Sequence, residues 1–201
     1  SMPDLVAAIR VDQAWGSAKL AAALHEVNPA GSTVDSEFGY ALSASANVNL
    51  PFGVGSTFGV TGIYAHGAQQ FMGFNNEVGN SSTGFADAIV VSSRSAVGAT
   101  GTTTTTLDLT TSYTVAAGFN FGVNDMIALQ LDGSYADVDH YGNLFDGNVW
   151  TVRGGVAYTP VNNLTINAHV SYAASDFNTS NIRTAVDEDE WGARFRVTRS
   201  F

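Results

Sequence analysis

Apolar and polar residues alternate with a period of two along most of this 201-residue chain, and helical periodicity is nearly absent. In the final stretch "DEDEWGARFRVTRSF", residues 187–201, every second position from Trp191 to Val197 is apolar or aromatic, and the positions between are small or basic. Successive side chains of a strand point to opposite faces, so this stretch predicts a strand with one oily face and one basic face. The recurrence of the pattern predicts an all-β protein.

Nine segments show the alternation, and we predict a strand in each. They cover residues 5–15, 18–25, 38–50, 57–66, 107–121, 127–135, 149–158, 164–172 and 190–201. The segment 57–66 is the least regular because Ile63 interrupts its pattern, whereas 107–121 is the most regular. In 107–121 and 191–201 we expect the odd-numbered apolar residues to share one face and the even-numbered residues the other.

The connections between these segments alternate in length. Short turns ("GS", "PFGVG", "GVND" and "TPVNN") alternate with long polar connections at 28–37, 67–106, 137–148 and 174–189. Short turns at one end and long loops at the other are typical of an up-and-down transmembrane barrel. We therefore predict a single all-β unit over residues 1–201: a transmembrane antiparallel up-and-down β-barrel, with short periplasmic turns and a long extracellular loop at about 67–106.

The two faces of the strands distinguish a membrane barrel from a soluble β-sandwich, whose strands also alternate. The apolar faces end in aromatic residues about eight positions apart, which at roughly 3.3 Å per residue and a tilt of about 40° gives about 20 Å of height. Aromatic rings are favoured at the two boundaries between lipid and water. We predict boundary positions for Trp15, Tyr40, Tyr113, Phe121, Tyr135, Trp150, Tyr158, Tyr172 and Trp191.

The opposite face is polar, small and charged, which suits a water-filled lumen better than a packed core. Burying such groups without partners would cost several kcal/mol each. The candidate pore-lining charges are Arg10, Asp12, Lys19, Asp132, Arg153, Arg194 and Arg196. Charges that line a pore set its ion preference. The alternative, which the sequence leaves open, is that the basic residues pair locally with Asp12, Asp132 or loop carboxylates and serve only the wall.

Composition excludes several other classes of protein. The chain has 18 acidic against 8 basic residues and a formal net charge of -10, which argues against nucleic-acid binding. It has no cysteine, so it holds no disulfide framework and no cysteine-based metal or redox site. Lysine is nearly absent, which indicates that much of the outer surface does not face water. No run of 18 apolar residues predicts a membrane helix, and no signal peptide is visible.

Catalytic and metal chemistry have little support in the sequence. The four histidines, His25, His66, His140 and His169, lie on different segments without a ligand spacing such as HExxH, and no GxSxG elbow is present. The run "DEDE" at 187–190 lacks the spacing of a calcium loop, and so does the pair Asp137 and Asp139. We predict no enzyme activity, no cofactor and no resident metal, with weak divalent-ion bridging to lipopolysaccharide at the rim as a secondary possibility.

Several stretches resemble the general diffusion porins of alphaproteobacteria. They are "PDLVAAIRVDQAWGSAKLAAALHEV" (3–27), "LDLTTSYTVAAGF" (107–119), "LDGSYADVDH" (131–140), "WTVRGGVAYTPVNNLTI" (150–166) and "DEDEWGARFRVTRSF" (187–201). The resemblance implies sixteen strands, a homotrimer and an inward-folded third loop. The nine segments found here correspond to the eighth to sixteenth strands, so the sequence leaves open whether the chain is a fragment or a shortened protein.

The function expected from these observations is an outer-membrane porin of a Gram-negative bacterium. Such a protein lets small hydrophilic solutes and ions diffuse passively through a water-filled channel. The barrel assembly machinery would recognise the terminal Phe201, and outer-membrane lipid and lipopolysaccharide would surround the apolar face. The alternative is a small closed outer-membrane barrel with a structural, adhesive or surface-recognition role. Pore width distinguishes the two, because a barrel of about eight strands fills its interior with side chains, whereas one of sixteen strands leaves an aqueous channel.

Overall fold

A computed structural model describes residues 2–29, 34–72, 87–95, 102–139, 144–179 and 186–200. These contain eleven strands and one short 3-10 helix (Gln69–Phe71). The strands are β1 (Leu5–Gln13), β2 (Gly16–Val27), β3 (Glu37–Asn49), β4 (Thr57–His66), β5 (Ala88–Ser95), β6 (Thr102–Leu109), β7 (Thr111–Gly122), β8 (Ile127–Asp139), β9 (Leu144–Val161), β10 (Leu164–Thr179) and β11 (Val186–Arg199). In the described part of the chain, no helix is long and apolar enough to cross a membrane.

Nine of the strands form one antiparallel sheet in the order β1-β2-β3-β4-β7-β8-β9-β10-β11. Each strand pairs with the next member of this series along the chain, so the sheet is an up-and-down meander. The remaining two strands, β5 and β6, pair only with each other in the connection between β4 and β7. The prediction of nine meandering strands is confirmed, and over the described residues the sheet is open, with β1 and β11 at its edges.

The short turns form where the sequence predicted them, and local chemistry explains two of them. In the β7–β8 turn, the side-chain oxygen of Asn124 accepts hydrogen bonds from the backbone N–H groups of Met126 (2.9 Å) and Ile127 (2.8 Å). In the β9–β10 turn, Asn163 adopts a left-handed conformation with φ of 66°. Asparagine tolerates that region better than most residues, which allows a two-residue connection here.

The predicted segment 107–121 is wrong as a single strand. Its first part, through Leu109, belongs to β6 and pairs with β5, whereas β7 begins at Thr111. The break lies at Thr110, whose N–H donates to the Asp87 carbonyl at 2.9 Å and whose carbonyl accepts from the Gly67 N–H at 2.8 Å. Leu107 is therefore buried and does not share the apolar face of β7. Alternation runs unbroken through Thr110, so periodicity alone cannot show the change of partner.

Two of the predicted long loops are also shorter than expected. Strands β8 and β9 stay paired out to Val138 and Gly147, and β10 and β11 stay paired out to Phe177 and Val186. The predicted loops 137–148 and 174–189 are therefore largely hairpin extensions. In these extensions the alternation is disturbed, because Asp137 lies on the apolar face and Val138 is buried on the polar face, so the pattern from which a strand is recognised is lost. By contrast, the least regular segment, β4, matches its predicted bounds of 57–66.

Candidate functional site

The register of the sheet assigns every paired residue to one of two faces. One face carries a row of directly opposed positions that includes Arg10, Lys19, Ser45 and Thr61. We call this the polar face, and the other, which carries Ile9 and its partners, the apolar face. The predicted alternation is confirmed in β7 from Tyr113 onward and in β11, where the two central arginines lie on the polar face.

Large side chains on the apolar face remain exposed. Ile9 is 65%, Leu131 is 56% and Phe195 is 70% exposed. A soluble sandwich would bury this face against a second sheet, and a contiguous apolar surface of this extent is not stable in water. The exposed face is therefore the strongest structural argument for an apolar solvent around the sheet.

An aromatic row crosses the apolar face at the end of the sheet that carries the long connections. It contains one residue from each of seven neighbouring strands: Tyr40, Tyr64, Tyr113, Tyr135, Trp150, Tyr172 and Trp191. Ring centroids of Tyr172 and Trp191 lie 4.9 Å apart, and those of Tyr40 and Tyr64 lie 6.1 Å apart. We call this the long-loop row. Sequence reasoning missed Tyr64, because the irregular pattern of β4 hid its face.

A second aromatic group lies at the opposite end of the apolar face, near the short turns. It contains the predicted Trp15, Phe121 and Tyr158 together with Phe52, Phe58 and Phe119. Phe52 belongs to the turn between β3 and β4, yet its ring lies 6.5 Å from that of Phe119 and 6.3 Å from that of Phe121. We call this the short-turn row. Phe52 could not be found by strand periodicity because it lies outside a strand.

Two of the predicted pore-lining cations form ion pairs with neighbouring carboxylates. Arg10 contacts Asp12 at 2.7 Å within β1, and Arg153 contacts Asp132 at 2.8 Å between β9 and β8. The side chains of these pairs are between 36% and 63% exposed, so the pairs orient the charged groups more than they stabilise the sheet. Local pairing, which the sequence left open, is therefore observed at these two sites.

The other predicted cations are arranged differently. Lys19 lies opposite Arg10, while Arg194 and Arg196 lie opposite His169 and Asn167. Among the residues that the structure describes, none of these three cations contacts a carboxylate. These three cations therefore form no ion pair within the described part of the chain, and they can act on ions in the adjacent water.

A groove of about 530 Å³ lies on the polar face and joins several of these charges. It extends from Arg10 and Lys19 on the first two strands to Asp132 and Arg153 on β8 and β9. Its floor is built from small residues, among them Gly59, Gly118 and Ala116. At Gly118 a Cβ atom would come within 3.4 Å of the Asp132 Cβ, so glycine leaves space in the groove beside the pair of Asp132 and Arg153. Arg194 and Arg196 lie beyond this groove, on the edge strand β11.

Acidic residues are concentrated beyond the long-loop row. Asp137 follows Tyr135 along β8, and Asp176 follows Tyr172 along β10, both on the hairpin extensions. Asp35 and Glu37 lie at the same end, at the start of β3. In the described residues, these carboxylates are thus separated along the strands from Lys19, Arg194 and Arg196 on the polar face. No group of three metal-ligating side chains is formed among them.

The histidines have separate environments. His25 contacts Asp4 at 2.7 Å and Asp87 at 3.4 Å. His66 contacts the Thr111 hydroxyl at 2.9 Å, while His169 lies on the polar face. His140 and Phe201, the latter with its predicted assembly role, lie outside the described ranges.

The sheet and its two faces define a class of protein. An antiparallel meander with an exposed apolar face, aromatic rows at both ends of that face and a charged polar face is typical of the wall of a membrane-spanning β-barrel. A family model described as a porin subfamily matches residues 1–195, and the chain belongs to this porin family. It is accordingly a protein of the outer membrane of Gram-negative bacteria.

Comparison with solved structures gives the same fold. The chain is similar to the outer membrane channel DcaP of Acinetobacter baumannii, with a TM-score of 0.69 and 16% sequence identity. The similarity covers 100% of this chain and 52% of that channel, so the chain spans about half the length of the protein it matches. At this identity the likeness shows the fold alone. No curated protein matches the sequence.

Proposed function

We propose that the chain forms part of the wall of a water-filled channel for passive diffusion of small hydrophilic solutes and ions across the outer membrane. The observation that carries this proposal is the opposition of the two faces: a charged groove on the polar face lies behind an exposed apolar face bounded by two aromatic rows. The polar face then lines the lumen, and the aromatic rows lie at the lipid boundaries. The protein acts as a channel and not as an enzyme.

We further propose that the protein is a general diffusion porin of the alphaproteobacterial type, closed as a barrel and assembled as a homotrimer. The stretches quoted above and the family match support this assignment. Lipopolysaccharide would contact the apolar face and its acidic rim, and the barrel assembly machinery would insert the protein. The resemblance implies that further strands close the barrel, because the nine-stranded sheet described here is open.

The alternative of a small closed barrel with a recognition role is less well supported. Such a barrel would fill its interior with side chains. The polar face instead has a floor of small residues, such as Gly59 and Ala116, beneath an open groove. That arrangement favours a roomy, wet interior.

The decisive experiment is conductance of the full-length protein in a planar lipid bilayer. We expect stepwise, ohmic conductance increments and a mild cation preference at low salt. This preference should shrink as salt rises, because the field of the acidic rim is screened over about 10 Å at 0.1 M. A correctly folded protein that never conducts would contradict the channel and favour the recognition barrel.

The assignment of faces can be tested by cysteine labelling, since the chain has no cysteine of its own. Ala116 lies on the polar face and Ala117 on the apolar face of β7, so the two positions form a matched pair. We expect Ala116→Cys in membrane vesicles to react at least about tenfold faster with a membrane-impermeant thiol reagent than Ala117→Cys, because lipid excludes the reagent. Equal rates would mean that the polar face does not line water.

The terminal phenylalanine gives a prediction about assembly. We expect Phe201→Ala to lower the amount of folded, heat-resistant protein in the outer membrane, because recognition by the assembly machinery is proposed to need a terminal aromatic group. The measurement is the ratio of folded to unfolded bands on a semi-native gel of outer membranes. Phe201→Tyr is the matched control and should be tolerated. An unchanged amount of folded protein in the alanine variant would show that assembly does not need the terminal Phe201.

A further inference from the structure

The chain after β4 turns inward over the polar face. The narrowing segment, as we name residues 67–72, begins at Gly67 and continues through the 3-10 helix to Met72. Gly67 has φ of 64°, a conformation that glycine adopts without strain. A side chain on Gly39, its neighbour on β3, would collide with the Gly67 backbone. The contact between these two glycines therefore lets the chain pass close to β3 at the end of β4 and continue over the polar face of the sheet.

The narrowing segment packs on a seat made of three alanines. Ala23, Ala41 and Ala65 are directly opposed across β2, β3 and β4, on the same face as Lys19. Ala68 and Met72 cover them and are 0% and 1% exposed. This is a small apolar cluster on an otherwise polar face. Its position shows that the segment packs against the polar face of the sheet.

Buried hydrogen bonds fix the segment in this position. Gln69 is 6% exposed, and its side-chain amide donates to the Thr110 carbonyl at 2.8 Å. The Ser112 hydroxyl on β7 donates to the Gln69 side-chain oxygen. The Gln69 backbone N–H donates to the Asp87 carboxylate at 2.6 Å. The segment is thus attached both to the wall and to the chain that leads into β5.

Polar side chains line the free edge of the segment. Gln70 donates to the Asp4 carboxylate at 2.8 Å, and His25 lies between Asp4 at 2.7 Å and Asp87 at 3.4 Å. These carboxylates are 33% and 28% exposed, so they face water in part. Two carboxylates beside one histidine make this edge acidic, in contrast to the basic groove farther along the same face.

The segment lies level with the long-loop row, because Ala41 and Ala65 adjoin Tyr40 and Tyr64 in their strands. The groove charge Lys19 lies four residues from Ala23 along β2, which is about 13 Å at roughly 3.3 Å per residue. A solute that entered from the long-loop end would meet the segment first and the groove second.

Resting on the proposed channel function, we propose that residues 67–72 are a fixed narrowing element inside the lumen, and that Asp4 and Asp87 at its edge favour the passage of cations. The element reduces the open cross-section at the outer boundary of the membrane. Its acidic edge acts at short range in a confined space, where salt screens charges less than at the surface.

The size effect is tested by single-channel conductance of the full-length porin. Gly39→Ala adds one methyl group that displaces the segment, and we expect conductance to rise at least about 1.5-fold and larger polyethylene glycols to enter, since flow scales with open area. Gly62→Ala is the matched control, because Gly62 lies on the apolar face of β4 and its new methyl group would lie 3.9 Å from the nearest atom. It should conduct like the parent protein.

A second variant, Gln69→Ala with Met72→Ala, removes the anchors of the segment without altering the wall and should raise conductance in the same way. Its control, Ser92→Ala with Thr105→Ala, removes an exposed hydroxyl contact in the β5–β6 hairpin of the same connection. Variants that fold and conduct like the parent protein would overturn the narrowing role. A parent protein that does not conduct at all would instead refute the channel itself.

The charge effect is tested with Asp4→Asn and Asp87→Asn together, because asparagine keeps an oxygen that can accept the observed hydrogen bonds. We expect the cation-to-anion permeability ratio to fall about twofold at low salt. Asp137→Asn is the comparison, since Asp137 lies at the same end but on the apolar face, and its removal should lower the ratio less than the double variant does. An unchanged permeability ratio in the double variant would contradict the role of Asp4 and Asp87 in cation preference.

Discussion

Leu131→Arg is expected to destabilise the membrane-inserted protein by about 2–4 kcal/mol, the cost of an arginine on the lipid face near the bilayer midplane. Leu131 is 56% exposed on the apolar face and lies four residues from Tyr135 in the long-loop row and four from Ile127 at the short-turn end. It therefore occupies the middle of the apolar band. The free energy of unfolding, measured by denaturant titration of the full-length protein in lipid vesicles, gives the size of the loss.

Gln130→Arg is the matched control for this experiment. Gln130 is the preceding residue of β8 and lies on the polar face, opposite Asn120. Its arginine would face water, so we expect a change well below that of Leu131→Arg, within about 1 kcal/mol. Equal losses at the two positions would contradict the assignment of lipid and lumen faces, and so would a neutral result at Leu131.

Replacing Arg194 and Arg196 together by alanine is expected to increase the cation preference of the channel. These arginines are on the polar face of β11, and neither contacts a carboxylate among the described residues. Their removal takes two positive charges from the wall and leaves the acidic rim unchanged. We expect the reversal potential under a salt gradient to move toward that of a more cation-selective pore, most strongly at low salt.

Two comparisons separate this effect from structural damage. Replacing Arg153 by glutamine and Asp132 by asparagine removes an ion pair without changing net charge, so the reversal potential should stay close to that of the parent protein. Neutralising the acidic run 187–190 should lower the cation preference. If neither the double arginine variant nor the neutralised 187–190 run changes the reversal potential, other parts of the channel set the ion selectivity and this part of the wall has only a structural role.

The aromatic rows show how far sequence reasoning reached. Eight of the nine predicted boundary aromatics lie on the apolar face towards one or other end of their strands, because period-two alternation is a local property of a strand, and Trp15 lies in the β1–β2 turn. Tyr64 was missed because Ile63 disturbs the pattern, although Ile63 takes the polar face and the alternation in β4 continues. Phe52 was missed because a turn residue has no periodicity, and only its packing on Phe119 and Phe121 places it in the short-turn row.

For the charged residues, the sequence predicts the face of the sheet but not the pairing partner. The sequence predicted that Arg153 and Asp132 share a face, but their pairing at 2.8 Å depends on the register between β8 and β9. Register is set by turn geometry and by the fit of whole faces, so a single position does not reveal it. The same holds for Lys19, which lies beside Arg10 instead of a carboxylate.

By itself, the sequence determined the β class, the meandering order, the two faces and the chemistry of each, because these depend on residues that are close along the chain. Only the tertiary structure decided that β6 ends and β7 begins on either side of Thr110, and where residues 67–72 lie. Gln69 reaches the Thr110 carbonyl across 41 residues, and Gly39 makes room for Gly67 from a different strand. Such contacts join distant parts of the chain, and no local pattern encodes them.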